Sequence, residues 1–222
     1  GFAALALALA MRDSTSTDAE VLKFVGAGRD VLVRGFERSR EARVRGAYAT
    51  ALGLLGTQTP AAARLELAKV LGDRGADPSL RGHVAVALGQ MGERSAPVRK
   101  AMRTALWDKR SVALRSQAAL AMSFLGGRAE STMLVQELRK ARSQWVLQQV
   151  AAALGQLGDV RAVPAILEMA ADTRRGDEAR ALAIASLGLL ADPEPKPSML
   201  RLTLDANYPA RTDALHEAFS IL

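Results

Sequence analysis

The sequence predicts an all-α fold, a right-handed α-solenoid of stacked helical hairpins. Three observations carry that prediction. A 12-residue segment recurs along the chain. Hydrophobic residues make up 49% but aromatics only 4%, so the apolar content is mostly Ala and Leu, both strong helix formers. Gly, Asp, Ser and Pro collect between the recurring segments, where helices should start and stop.

The recurring segments are RGAYATALGLLG (45–56), RGHVAVALGQMG (81–92), RSQAALAMSFLG (115–126), LQQVAAALGQLG (147–158) and RALAIASLGLLA (180–191). Their ends are spaced by 36, 34, 32 and 33 residues, and a sixth copy, RTDALHEAFSIL, occupies 211–222. Extrapolated backwards, a further copy ends near Met11. GFAALALALAM then reads as the second helix of an earlier repeat, although it also looks like the apolar part of a signal peptide. It is too short to span a membrane, and no transmembrane segment is expected elsewhere. The expected layout is one array over 1–222: a partial repeat at 1–11, then repeats at about 18–56, 57–92, 93–126, 127–158, 159–191 and 192–222. A longer parent chain or end-to-end association of the apolar end helices is an open expectation.

Shorter helices are expected between the copies at 60–71, 97–107, 131–140, 164–171 and 197–204. Several open on proline, whose missing N–H costs nothing in a first turn. Asp77, Ser111 and Asp177 are candidate N-caps, and Thr17 with Glu20 fits a capping box. Gly26 and Gly28 are expected to break the first helix of the 18–38 region.

The recurrent A-L-G-x-L-G block, with an arginine eleven residues before its end, resembles the HEAT-like repeats of phycobilin-lyase-type and other bacterial HEAT proteins. The resemblance covers nearly the whole chain. It implies a fold rather than a function, because such repeats occur in lyase subunits, adaptors and nucleic-acid proteins.

Counting back from each segment's last residue, positions −1, −4, −7 and −8 form an apolar core stripe. Position −3 is Gly53, Gly89, Ser123, Gly155 and Gly188, which suggests close helix–helix approach. The arginines at −11 (Arg45, Arg81, Arg115, Arg180) read as rungs of an internal ladder, paired with the aspartate preceding each: Asp73, Asp108, Asp172 and, for Arg211, Asp205. Leu147 should interrupt that ladder. Positions −13, −9 and −2 point away from the core towards the concave groove. They supply the candidate partner-binding residues: Arg43, His83, Gln90, Gln117, Phe124, Trp145, Gln149 and Gln156. Amides and an aromatic facing a groove suit a protein or peptide, with few anchors carrying the energy. Phe124 and Leu189 could equally fill gaps between helices. Trp107 is expected in an inter-helix seam, and Trp145 as an exposed anchor.

The net charge is +7, which admits an acidic protein partner, nucleic acid or anionic lipid. Arg99, Lys100, Arg103, Lys109 and Arg110 are candidate contacts to phosphate or to an acidic partner; the competing reading is a solvated face. The chain has no Cys and two His, His83 and His216, which excludes disulfides, thiolate metal sites and cysteine nucleophiles. No phosphate-binding loop, H-E-x-x-H or G-x-S-x-G is present. The expectation is a non-enzymatic scaffold or adaptor without cofactor or metal, in the cytoplasm, that binds a protein or peptide. A nucleic-acid-binding solenoid and a chromophore-lyase subunit are the alternatives.

Overall fold

The computed structural model describes residues 2–12, 14 and 17–191. The sixth copy, the helix expected at 197–204, the Asp205–Arg211 pair and His216 lie outside the described residues. Eleven α-helices and no strands are found among those described. They are α1 (Phe2–Arg12), α2 (Ala19–Arg38), α3 (Ala42–Leu54), α4 (Ala61–Gly72), α5 (Pro78–Gln90), α6 (Ala96–Leu106), α7 (Val112–Leu125), α8 (Arg128–Lys140), α9 (Gln144–Leu157), α10 (Val163–Ala171) and α11 (Asp177–Ala191).

Each pair α2/α3, α4/α5, α6/α7, α8/α9 and α10/α11 packs as a hairpin, and the odd-numbered helices from α1 to α11 pack in succession. The result is a two-layer α-solenoid. One core runs along it, from Ala8 and Met11 through Leu52, Leu88 and Met122 to Leu154 and Ala183, all buried. No single hairpin could bury such a stripe alone; stacking buries it. No helix among the described residues is long and apolar enough to cross a membrane.

Local chemistry sets the boundaries. Asp77 Oδ1 accepts from the Ser79 and Leu80 N–H groups at 2.9 and 3.0 Å, with Pro78 in the first turn of α5. Ser111 Oγ accepts from Leu114 N–H at 3.1 Å at the start of α7. α9 ends at Gly158, whose φ of 71° is the left-handed conformation that favours glycine. Two expectations fail here. The cap of α2 is Asp18, which accepts from Glu20 N–H at 2.7 Å, rather than Thr17. α2 also runs unbroken through Gly26 and Gly28. Gly28 is needed by its neighbour: a Cβ there would lie 2.3 Å from Met11 Sδ. The seat it provides for α1 offsets its cost to the helix.

The odd layer is the tighter one. A Cβ on Gly89 would lie 2.6 Å from the Ala121 carbonyl oxygen, and one on Gly155 2.7 Å from that of Ser186. These distances place the backbones of α5 and α7, and of α9 and α11, in direct contact. In the even layer, by contrast, a cleft opens between α6 and α8.

Candidate functional site

The groove candidates separate into two groups. His83, Gln90, Gln117 and Gln156 lie across the seams between consecutive odd helices. A Cβ on Gly46 would meet the His83 ring at 2.8 Å, and one on Gly82 would overlap the Gln117 amide at 1.6 Å. Gln90 lies over Gly53 in the same way, and Gln156 Oε1 is 2.9 Å from Ser123 Oγ. In these four cases a residue at −9 or −2 reaches back onto the small residue at −10 or −3 of the preceding repeat. These side chains are therefore stacking contacts first. The glycines at −10 were the signal for it, since a missing Cβ in one helix makes room for an amide from the next.

The second group has no hydrogen bond or ion pair across a seam among the described residues, and two of its members, Trp145 and Arg43, are exposed. Trp145, in the first turn of α9, is 59% exposed, and the Arg43 side chain is 90% exposed, 3.4 Å from Glu41. Phe124 and Gln149 are half-buried. Trp107 departs from its expected seam and is 41% exposed. The core stripe of α6 is Val98, Met102 and Ala105, and Trp107 caps the helix out of that register.

His83 is the described titratable group most affected by the seam. Burial lowers its pKa below the ordinary 6.5, and the negative charge of Asp77 only partly opposes this. The folded chain thus prefers neutral imidazole. The unfolded chain takes up a proton as pH falls through 6.5, so stability is complete above that value and declines below it, towards the lower folded pKa. We expect the melting temperature to fall between about pH 7 and pH 5.5, and His83→Gln to fall less over that range. Equal falls, measured by circular dichroism, would count against the seam assignment.

Two of the −11 arginines, Arg81 and Arg115, join consecutive hairpins, in the direction opposite to that expected, while Arg180 pairs with Asp177 of its own helix. Arg81 is fully buried; its Nε donates to Leu71 C=O at 3.2 Å and its Nη1 lies 3.5 Å from Asp108 Oδ2, in the following hairpin. Arg115 bonds Glu137, again one hairpin ahead. Arg45 and Arg180 donate to Phe36 and Ala170 carbonyls at 3.2 and 3.0 Å, and Arg45 also lies over the Phe36 ring. The preceding acid is not the partner because it is occupied within its own turn: Asp73 accepts from Gly75 N–H, and Asp172 from Arg174 N–H. Leu147 is buried at the fourth position, and Asp172 in the next turn pairs with Arg174 and Arg175.

On the even layer, Lys100, Arg103, Lys109 and Arg110 are exposed. Arg99 is half-buried, 3.2 Å from the buried Glu130 across the α6–α8 cleft. That cleft, about 720 Å³, is lined by Arg99, Lys100, Arg103 and Arg128 with Ala96, Ala129 and Met133. Arg110 is 3.3 Å from both Asp108 and the Arg74 carbonyl, which ties adjacent turns together.

The three carboxylates with displaced pKa values among the described residues, Asp108, Asp159 and Asp172, are all displaced downwards. Burial alone would raise the Asp108 pKa, but hydrogen bonds from Arg110 and the charges of Arg110 and Arg81 hold it below the usual carboxylate value. Bonds from Arg161 and Arg174 depress Asp159 and Asp172. Among the described residues, no group of three or more His, Asp or Glu is placed to hold a metal ion.

Residues 131–219 match the family described as HEAT repeats. A structure of human deoxyhypusine hydroxylase in complex with glycerol aligns over 99% of this chain and 94% of its own, at 17% identity and a TM-score of 0.38. That likeness is too loose to carry an argument. No curated protein matches the chain in sequence.

Proposed function

Taking the chain as the HEAT-like repeat protein it is, we propose that it is a non-enzymatic scaffold that binds a protein or peptide through the face of its odd-numbered helices. The observation that carries this reading is Trp145, 59% exposed in the first turn of α9. In the same layer His83, Gln90, Gln117 and Gln156 are engaged in seams, while this large amphipathic ring is not. Such rings, flanked by adaptable amides, are what binding surfaces concentrate their energy in. Gln149 lies one turn further along α9 and Phe124 on the neighbouring α7, and both are half-buried. Carboxylates held ionised by arginines, and a histidine held neutral in a seam, favour binding over chemistry.

The test compares the wild-type chain with Trp145→Ala/Gln149→Ala as baits in affinity capture with mass spectrometry. The expected result is a specific protein retained by the wild type and weakened roughly 30-fold in the variant, the equivalent of a 2 kcal/mol anchor. Both side chains are outside the core stripe, so the melting temperature should stay within a few degrees. Equal capture by both baits would sink the proposal.

A further inference from the structure

Charge in this chain is segregated to a degree that its overall balance conceals. Residues 93–142 contain eleven Lys and Arg against four Asp and Glu, a surplus of seven that equals the net charge of the whole chain. The four acids are all withdrawn from the surface onto arginines. The side chains of Asp108, Glu130 and Glu137 are 8%, 2% and 3% exposed, on Arg81, Arg99 and Arg115, and Glu93 is half-buried on Arg64. The cations are left outside. Lys100, Arg103, Lys109, Arg128, Lys140 and Arg142 are exposed, and none has an acidic partner among the described residues.

The arrangement has a direction. Lys100, Arg103 and Trp107 stand at i, i+3 and i+7, so they share one face of α6 and its end. Trp107 is 41% exposed, with Lys109 and Arg110 just beyond it. Across the cleft, Arg128 opens α8 opposite Lys100 and Arg103. The stripe from Lys100 to Trp107 covers about 10 Å of helix axis, longer than one phosphate requires. Cations spread over two hairpins suit a polymer, and arginine's planar fork suits phosphate oxygens. An exposed indole in line with those cations offers a stacking platform for a base that is not paired.

We propose that the outer surface of the α6–α8 region binds single-stranded nucleic acid. Phosphates run along Lys100, Arg103 and Arg128 over the cleft, and one base stacks on Trp107. The proposed phosphate contacts are on α6 and α8 and the Trp145 ring is on α9, so separate variants test the two readings.

The experiment measures fluorescence polarisation of a labelled oligothymidylate of about 20 nucleotides, titrated with the full chain between about 50 and 200 mM salt. Wild type is expected to bind at low salt, with log K falling linearly against log salt. Lys100→Gln/Arg103→Gln/Arg128→Gln should weaken binding at least 10-fold and reduce the slope by about 2, since each phosphate contact contributes about 0.7 on single strands. Trp107→Ala should weaken binding about 10-fold with the slope unchanged, and Trp145→Ala should change neither. All substituted side chains are on the surface, and circular dichroism melts verify the fold. No binding at low salt overturns the proposal. Displacement by polyglutamate at equal charge overturns it in favour of an acidic protein. Tighter binding of the matching duplex, or wild-type affinity in Trp107→Ala, overturns the stacking assignment and the proposal with it.

Discussion

Asp108→Ala is expected to lower the stability of the chain by about 3 kcal/mol, the lower end of the cost of breaking a buried ion pair. The reason lies in Arg81, which is 0% exposed and crosses from α5 to the turn after α6. Its Nε is satisfied by Leu71 C=O, but the Nη1 end depends on the Asp108 carboxylate 3.5 Å away. Without Asp108, a guanidinium that cannot deprotonate remains in the interior with its charge uncompensated. Arg81→Met on the same background should recover part of the loss, because an apolar side chain of similar length needs no counter-charge. Urea denaturation of wild type, single and double variants measures both steps. A loss below about 1 kcal/mol for Asp108→Ala would mean that water reaches Arg81, and the link would be no more than a surface ion pair.

The second large effect separates glycines that look identical in the sequence. Gly89→Ala is expected to destabilise by about 1–3 kcal/mol, because its Cβ would meet the Ala121 carbonyl at 2.6 Å and backbone cannot swing aside. The gain in helix propensity, about 1 kcal/mol, reduces that penalty without reversing it. Gly26→Ala, in the middle of α2 with nothing within 4 Å of the new Cβ, should stabilise by about 0.5–1 kcal/mol. Thermal melts of the two variants should therefore move in opposite directions. Movement in the same direction would show that propensity rather than packing governs the odd layer.

Much of the architecture was legible because stacking imposes a period. The segments from Arg45 to Ala191 announce α3, α5, α7, α9 and α11, and Gly53, Gly89 and Gly155 at −3 announce where those helices touch, while Gly188 has no described neighbour within 4 Å. The sequence does not reveal the direction of a contact between repeats. Arg81 has Asp73 eight residues before it and Asp108 twenty-seven after it, and only the stacking geometry decides for the latter. The seats of Gln90, Gln117 and Gln156 on the preceding helix are hidden for a related reason. A helical wheel describes one helix at a time, so Gln117 reads as solvent-facing until Gly82 on the adjacent helix opens a seat for it. Trp107 is out of its expected seam because α6 ends at Leu106, one residue short of the expected helix end. The concentration of positive charge was hidden by proximity along the chain: Glu130 and Glu137 sit among Arg128, Arg139 and Lys140 in sequence, yet the fold takes both acids inside.

The inward turn of these acids constrains how such an array can change. Charge is conserved over the chain, so every carboxylate drawn inward as a joint between hairpins is one fewer on the exterior. Asp108 and Glu137 are therefore at once fasteners and missing counter-ions. A substitution that loosens the Arg81 or Arg115 joint also alters the field outside it. At these joints mechanical cohesion and outward electrostatic character are tied to the same few atoms, whereas Lys100, Arg103 and Arg128, exposed and outside the joints, change the field alone.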